Sequence, residues 1–431
     1  MWPKIIAPLI FMLLVITGCS SGTLPPATTG LLTTVAPPEP TTSPAVAAPR
    51  PKPSAVASPQ MTASPPVTGT SPAAIVSTPS PVQKTMATPA MTLTPALLLC
   101  GKVGTGYSQT LNVSGGTPPY AWSIPAGSLP DGTSLGISNS ATNAIQGKPS
   151  RAGPFSFSVR VSDSTGGTIT QFTSITITQP SMTSQVVTLE TRPGVTVKLL
   201  LLSPSNQPQG TLVLFPGGLG QGEFLEQSGT ICLGINFVVR SSALFVDRGF
   251  AAAIVDVPSD QEKGMPLPCR TSSEHAQDVK KIIDYLARIQ AGPIYLVGTS
   301  ASSLSIAYLG ASLGDNRISG IVLTSSITST TRGSIFDLQL GLETVTLPVL
   351  IVHHQQDGCQ NTKFSDAVRL RSQFTGSRRA GFVEVMGGDP PLSPPCDALS
   401  FHGFLGREQD VVLAITDWIT GKEVPNKIGG P

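Results

Sequence analysis

The stretch Tyr295-Leu-Val-Gly-Thr-Ser-Ala-Ser302 decides how this chain is read. An apolar strand ends at Gly298, a serine follows two positions later, and small residues open a helix. A serine on such a sharp strand-to-helix turn exposes its Oγ at the end of a sheet. Gly298 permits close backbone approach at the turn, and Ala301 and Ser302 let the helix pass near the strand. The backbone N–H of Ala301 is then free to face an oxyanion. Glycine usually closes this pattern, and here Ser302 stands in its place.

Two further segments supply partners for that serine. Leu347-Pro-Val-Leu-Ile-Val-His-His-Gln-Gln-Asp-Gly-Cys359 is a buried apolar strand running into a polar loop, with Asp357 just past its end. Ser400-Phe-His-Gly-Phe404 places His402 in a glycine-flanked loop before a helix that begins near Glu408. The chain holds four histidines. His275 falls in the amphipathic pattern from Ser273 to Ile289, as a helix-surface or packing residue. His353 and His354 end the strand before Asp357 and shape that loop. His402 is therefore the candidate base. Asp357 is the candidate acid, with Asp389 and Asp397, in the loop before His402, left as rivals. A fourth segment, Thr211-Leu-Val-Leu-Phe-Pro-Gly-Gly-Leu-Gly220, runs a strand into a glycine-rich loop. No Gly-Lys-Ser/Thr follows, so a phosphate loop is disfavoured.

Serine, then acid, then histidine is the order that resembles the α/β-hydrolase superfamily, over roughly Val186 to Thr420. Apolar runs at 211–215, 250–256, 294–298, 318–323, 347–352 and 381–386 read as buried parallel strands. Helical patterns lie between them near 240–249, 273–290, 301–313, 364–375 and 408–420. The resemblance implies a domain over 185–425 with a mostly parallel sheet and helices on both faces. It implies a serine hydrolase of ester or related acyl bonds. Ser300 is the expected nucleophile, His402 the base and Asp357 its partner, with oxyanion N–H groups from Ala301 and from Gly217 or Gly218. No cofactor is expected. The stretch 326–346 is short, which implies a small lid or none. The alternative is a surface adhesion or scaffold protein that has kept a hydrolase shape without activity, and a peptidase stays open within the enzyme reading.

Before this domain the texture changes three times. Met1-Trp-Pro-Lys, an apolar run from Ile5 to Ile16, and Thr17-Gly-Cys-Ser-Ser form a secretory signal over 1–18. Ile16-Thr-Gly-Cys19 resembles the bacterial lipobox, which implies lipidation of Cys19 and a membrane anchor. Ser20 and Ser21 after it resemble outer-membrane lipoproteins, facing the periplasm or the cell surface. Residues 19–95 are mostly Pro, Thr, Ser and Ala, which cannot bury a core and act as an extended spacer.

Over 96–180 strict alternation appears in Phe155-Ser-Phe-Ser-Val-Arg-Val161 and Ser174-Ile-Thr-Ile-Thr178, with turn signals between strands. This predicts a small all-β sandwich. The run from Gly106 to Ser123, with Gly147-Lys-Pro and Ala152-Gly-Pro-Phe-Ser-Phe, resembles bacterial Ig-like domains of secreted proteins. Such a domain implies contact with a glycan or protein. Trp122 is expected to anchor its core, and Asp131 and Asp163 read as turn residues rather than calcium ligands.

The 27 Lys and Arg against 25 Asp and Glu leave a net charge of +2, with no basic cluster for a nucleic-acid partner. Beyond Cys19 the cysteines are Cys100, Cys232, Cys269, Cys359 and Cys396. Four lie in the hydrolase-like region, and Cys232–Cys269 and Cys359–Cys396 are the local pairings in an oxidising compartment. In the fold implied, the second pair would tie the acid loop to the base loop. Cys100 is left over. No spacing suggests zinc or another metal.

Overall fold

The computed structural model describes residues 90–430 apart from 228–229 and 331–332. The signal, Cys19 and most of the spacer lie outside the described residues. Alternation builds the first domain: Tyr107–Ser114 buries every second side chain. One four-stranded sheet runs in the order Thr92–Thr94, Tyr107–Ser114, Thr142–Gly147, Thr133–Leu135. The other runs Gly101–Lys102, Thr168–Thr178, Gly153–Ser162, Ala121–Gly127. Leu111 and Ile145 from the first meet Phe157, Val161, Ile175 and Ile177 from the second in one core. This is the Ig-like sandwich. Trp122 is not its centre, because Ala121–Gly127 is an edge strand and its indole is only half covered, with Nε1 donating to the Ser140 carbonyl at 3.0 Å. Asp163 accepts from the N–H groups of Thr117, Thr165 and Gly167, and Asp131 pairs with Arg151.

The second domain is an α/β-hydrolase fold. Its strands are β1 (Thr183–Arg192), β2 (Val195–Ser203), β3 (Thr211–Phe215), β4 (Ala251–Pro258), β5 (Ile294–Thr299), β6 (Ile318–Thr324), β7 (Val349–His354), β8 (Ala380–Val385) and β9 (Lys427–Ile428). They form one sheet in the order β9-β8-β7-β6-β5-β3-β4-β2-β1. From β9 to β4 all neighbours are parallel, while β2 runs antiparallel to both β4 and β1. All five residues of β3 and all six of β7 are buried, as expected of strands covered on both faces.

The helices are α1 (Phe237–Arg240), α2 (Ser242–Asp247), α3 (Leu267–Arg270), α4 (Ser273–Ile289), α5 (Ser302–Ser312), α6 (Phe364–Leu370) and α7 (Glu408–Ile419). Two apolar cores follow. α4 and α5 pack on one face of the sheet, and α1, α2 and α7 on the other. The stretch 326–346 forms two 3-10 turns, Ile335–Asp337 and Leu342–Thr344, and a two-residue hairpin. Among the described residues no helix is long and apolar enough to cross a membrane.

The domains share a seam. Leu99 bridges Cys232 in antiparallel fashion, and the Cys100 N–H donates to the Ile231 carbonyl at 2.8 Å. Cys232 sits in this seam as a buried free thiol, so the Cys232–Cys269 pairing does not form. Cys269 lies instead on α3, which packs against α4 and α5. Cys100 is also a free thiol.

Two buried histidines make stability depend on pH. His275 on α4 packs edge-on to Phe215, and burial, with Arg270 and Arg192 nearby, pushes its pKa down to about 3. Burial likewise lowers His353 to about 4, against the pull of Asp357. Both stay neutral in the fold while an unfolded histidine takes up a proton near pH ~6.5. The unfolded chain then binds more protons, so stability falls as pH drops from about 6.5 towards about 4. The slope reaches about 1.4 kcal/mol per pH unit for each histidine. Melting temperatures measured between pH 7 and 4.5 should fall, and His275→Phe should shallow the decline. A melting temperature flat across that range contradicts this account.

Candidate active site

The site lies at the carboxyl ends of β3, β5 and β7. β5 ends at Thr299, and Ser300 turns the chain with φ of 52° before α5 begins. That conformation is costly for a residue with a Cβ. Three backbone contacts hold it. Ser300 N–H donates to Thr324 O at 2.9 Å, Ser303 N–H donates to Ser300 O at 2.9 Å, and Ser303 Oγ donates to the same carbonyl at 2.7 Å. Gly298 is required by space, because a Cβ there would lie 2.4 Å from Ile306 Cγ1 and 2.6 Å from Ser302 O. Gly217 is required likewise, since its Cβ would meet Ser300 Cβ at 2.9 Å. The Pro216–Gly218 loop therefore lies directly against the serine.

His402 sits in a 3-10 turn, Phe401–Gly403, capped by Ser400 Oγ. Its Nδ1 is 2.9 Å from Asp357 Oδ2. Asp357 also accepts from the Cys359 N–H at 2.9 Å and from Thr362 Oγ1 at 2.9 Å. Burial opposes the charge of this carboxyl. The bond and charge of His402, with His353 and the Cys359 N–H, outweigh burial and hold its pKa below the ordinary value. A carboxylate facing Nδ1 fixes the tautomer with Nδ1–H, which leaves Nε2 to accept. Asp389 and Asp397 do not take this place: the Asp389 N–H donates to Leu405 O, and Asp397 lines the mouth without bonding His402.

The neighbouring histidines are braces. His353 Nε2 donates to Thr362 O at 2.8 Å, and so sets the threonine that bonds Asp357. His354 Nε2 donates to Gly387 O at 2.8 Å, and its ring stacks on Phe401 at 4.7 Å. Cys359 and Cys396 form a disulfide between the loop of Asp357 and the loop leading to His402.

Ser300, His402, Gly217 and Gly218 line one open cavity of about 450 Å³. Four of the five non-glycine residues with positive φ among the described residues cluster here. They are Ser300 and Glu223 in the cavity wall, Ser325, whose Oγ donates to His402 O at 2.6 Å, and Phe404 just after the histidine turn.

Two buried arginines are the functional residues that sequence reasoning missed. Arg270 is 2% exposed and pairs with no carboxylate among the described residues. Nη1 donates to Ser302 Oγ at 2.6 Å, and Nη2 donates to Gly218 O at 2.8 Å. Ser302 Oγ in turn donates to Pro216 O at 2.5 Å. The serine that replaces the usual glycine thus ties the elbow to the glycine loop through a guanidinium. Burial lowers the Arg270 pKa to about 10, which leaves it charged at neutral pH. Arg240 is fully buried and donates to Ile235 O at 2.6 Å, Gly403 O at 2.6 Å and Glu408 Oε1 at 2.9 Å. It fixes the histidine turn as Arg270 fixes the Gly218 loop. The one sequence signal was an arginine closing the apolar run Phe237-Val-Val-Arg240.

A family model described as a putative Ig domain matches residues 89–178. No curated protein matches the chain. Among solved structures, it is similar to a cold-adapted esterase from an Arctic intertidal metagenomic library, at 17% identity over 55% of this chain and 94% of that one, TM-score 0.38. It is similar to brefeldin A esterase, a bacterial homologue of human hormone sensitive lipase, at 10% identity over 56% and 77%, TM-score 0.39. It is also similar to Pyrococcus horikoshii acylaminoacyl peptidase, at 8% identity over 75% and 55%, TM-score 0.42.

Ser302→Gly should strand a buried guanidinium donor and the Pro216 carbonyl. A loss of about 1–3 kcal/mol is expected from such orphaned groups. Thermal or urea denaturation checks this, and a variant as stable as the wild type would show that the Arg270 clamp holds nothing.

Proposed function

We propose that this protein is an extracytoplasmic serine hydrolase that cleaves an ester or related acyl bond. The observation that carries the reading is the 2.9 Å contact between Asp357 Oδ2 and His402 Nδ1, beside a serine strained at φ 52° on the same cavity. Ser300 Oγ attacks the acyl carbon while His402 Nε2 takes its proton. Asp357 holds Nδ1–H and stabilises the imidazolium. The oxyanion accepts from the N–H of Ala301 and from that of Gly217 or Gly218. His402 then protonates the leaving alcohol, and water repeats the sequence to release the acid. The adhesion or scaffold reading gains nothing from Ser302 in place of the usual glycine, since that serine bonds Arg270 and Pro216 within the elbow.

Ser300→Ala should lower turnover of short aryl esters on the order of a thousandfold or more, because triad members act as a unit. The fold should persist, since this serine makes no core. Retention of a tenth of the activity, or a wild-type protein unreactive to a fluorophosphonate probe, refutes the assignment.

The address rests on the sequence. Ile16-Thr-Gly-Cys19 after a short apolar core supports lipidation, with the spacer carrying both domains outward from the membrane. The Ig-like domain would contact a glycan or protein there, and no basic cluster invites nucleic acid. Cys19→Ala should move the protein out of the membrane fraction or stall its processing. Fractionation identical to the wild type would count against the anchor.

A further inference from the structure

The cavity around Ser300 is not built by the hydrolase domain alone. Phe172, from the Ig-like strand Thr168–Thr178, lines it together with Leu219. These are two of seven large apolar side chains that stand well exposed among the described residues, at 42% and 58%. Phe172 is held in place. Thr176, four positions on and so on the same face of the strand, donates from Oγ1 to Arg240 O at 3.3 Å. The seam at Cys100 and Ile231 fixes the same edge of the sandwich. An exposed aromatic side chain on a strand fixed at the mouth of a catalytic cavity is a ready surface for an apolar substrate group.

The charges of the mouth are one-sided. Glu223 and Asp397 line the cavity, and among the described residues no lysine or arginine does. Glu223, strained at φ 49°, is held by Gly234 N–H donating to its carbonyl at 2.7 Å and by Asn236 N–H donating to Oε2 at 3.0 Å. Arg240 lies behind it but is committed to Glu408 and two carbonyls. Arg270 is covered by the Gly218–Gly220 loop. A carboxylate on the substrate would meet the Asp397 carboxylate, and Glu223, whose pKa burial raises against the pull of Arg240, with no cationic partner among the described lining residues.

We infer that the Ig-like domain supplies, through Phe172, the outer wall of the substrate site, and that this site takes esters with a bulky apolar group and no negative charge. The inference rests on the serine-hydrolase reading above. The apolar group packs between Phe172 and Leu219, beyond the scissile carbonyl. Glu223 and Asp397 favour a cationic substrate over an anionic one. The sandwich thereby takes part in the enzyme's specificity, beside any glycan or protein contact it makes.

The test uses the full chain and p-nitrophenyl esters. Phe172→Ala should lower kcat/KM for a 4-phenylbutyrate ester about tenfold, as expected for losing part of a buried aromatic contact, and for the acetate ester less than twofold. The loss should appear mainly in KM. At equal chain length, an ester with a terminal trimethylammonium group should be used at least about tenfold better than one with a terminal carboxylate. Asp397→Asn should narrow that ratio, and so should raised salt. Equal losses on both ester sizes, no loss on either, or indifference to substrate charge would overturn the inference. Fluorophosphonate labelling of Ser300 separates the two levels. Phe172→Ala labelled like the wild type but unchanged in selectivity sinks the wall and keeps the hydrolase, whereas an unlabelled wild type sinks both.

Discussion

Catalytic loops at the end of a parallel sheet have a common difficulty, and here two buried guanidinium groups resolve it. Beyond the last ladder bond the backbone carbonyls have no strand to pair with, yet burial forbids leaving them bare. Arg270 takes Gly218 O and the Ser302 hydroxyl, and Ser302 takes Pro216 O. Arg240 takes Ile235 O and Gly403 O. Each arginine has several donors in a rigid fork, which suits it to collecting carbonyls from different loops. Glu408 compensates Arg240, while Arg270 has no carboxylate among the described residues. Its charge sits behind the loop that would face an oxyanion, where a low dielectric makes a fixed positive charge count.

The strain at the site follows from this bracing. Ser300, Glu223, Ser325 and Phe404 keep a positive φ that each would avoid in an isolated chain. Such conformations persist where surrounding contacts over-determine them. Ser303 and Thr324 hold Ser300, Asn236 and Gly234 hold Glu223, and Ser325 is bonded to the carbonyl of His402. The disulfide between Cys359 and Cys396 adds a covalent tie between the Asp357 loop and the loop leading to His402. Fixed loops keep reacting groups near their productive geometry without reorganisation at the moment of reaction.

How much of this was legible depended on whether the cause was local. β3, β5 and β7 announced themselves because strands buried on both faces become apolar runs. α4 was legible from its period, since one face meets the sheet and the other meets water. β1 was not, because it is an edge strand with mostly exposed or half-buried residues, so its pattern is diluted. Asp357, Asp389 and Asp397 all fall in loops, and only the folded distances single out Asp357 as the partner of His402. That Cys232 stays a free thiol could not be read, because its neighbour is the Ig-like segment 99–100 rather than anything near it in sequence. Arg240 and Arg270 read as ordinary charges for the same reason: their partners lie up to 168 positions away.

The serine at position 302 shows how a departure from a pattern can be judged by space and bonding rather than by likeness. At Gly298 no side chain fits, because the Cβ position is already occupied by Ile306 and the carbonyl of Ser302. At position 302 the side chain is 2% exposed, so the site admits something small, but it is also bordered by Arg270 Nη1 and the Pro216 carbonyl, which both bond to its hydroxyl. A glycine would leave those two groups facing a gap, and a larger residue would displace Arg270 from Gly218. A hydroxyl on one carbon satisfies both, accepting from Arg270 and donating to Pro216. The two small positions of the elbow are therefore small for different reasons, Gly298 by exclusion and Ser302 by a hydrogen-bond requirement that arises only because Arg270 lies beneath it.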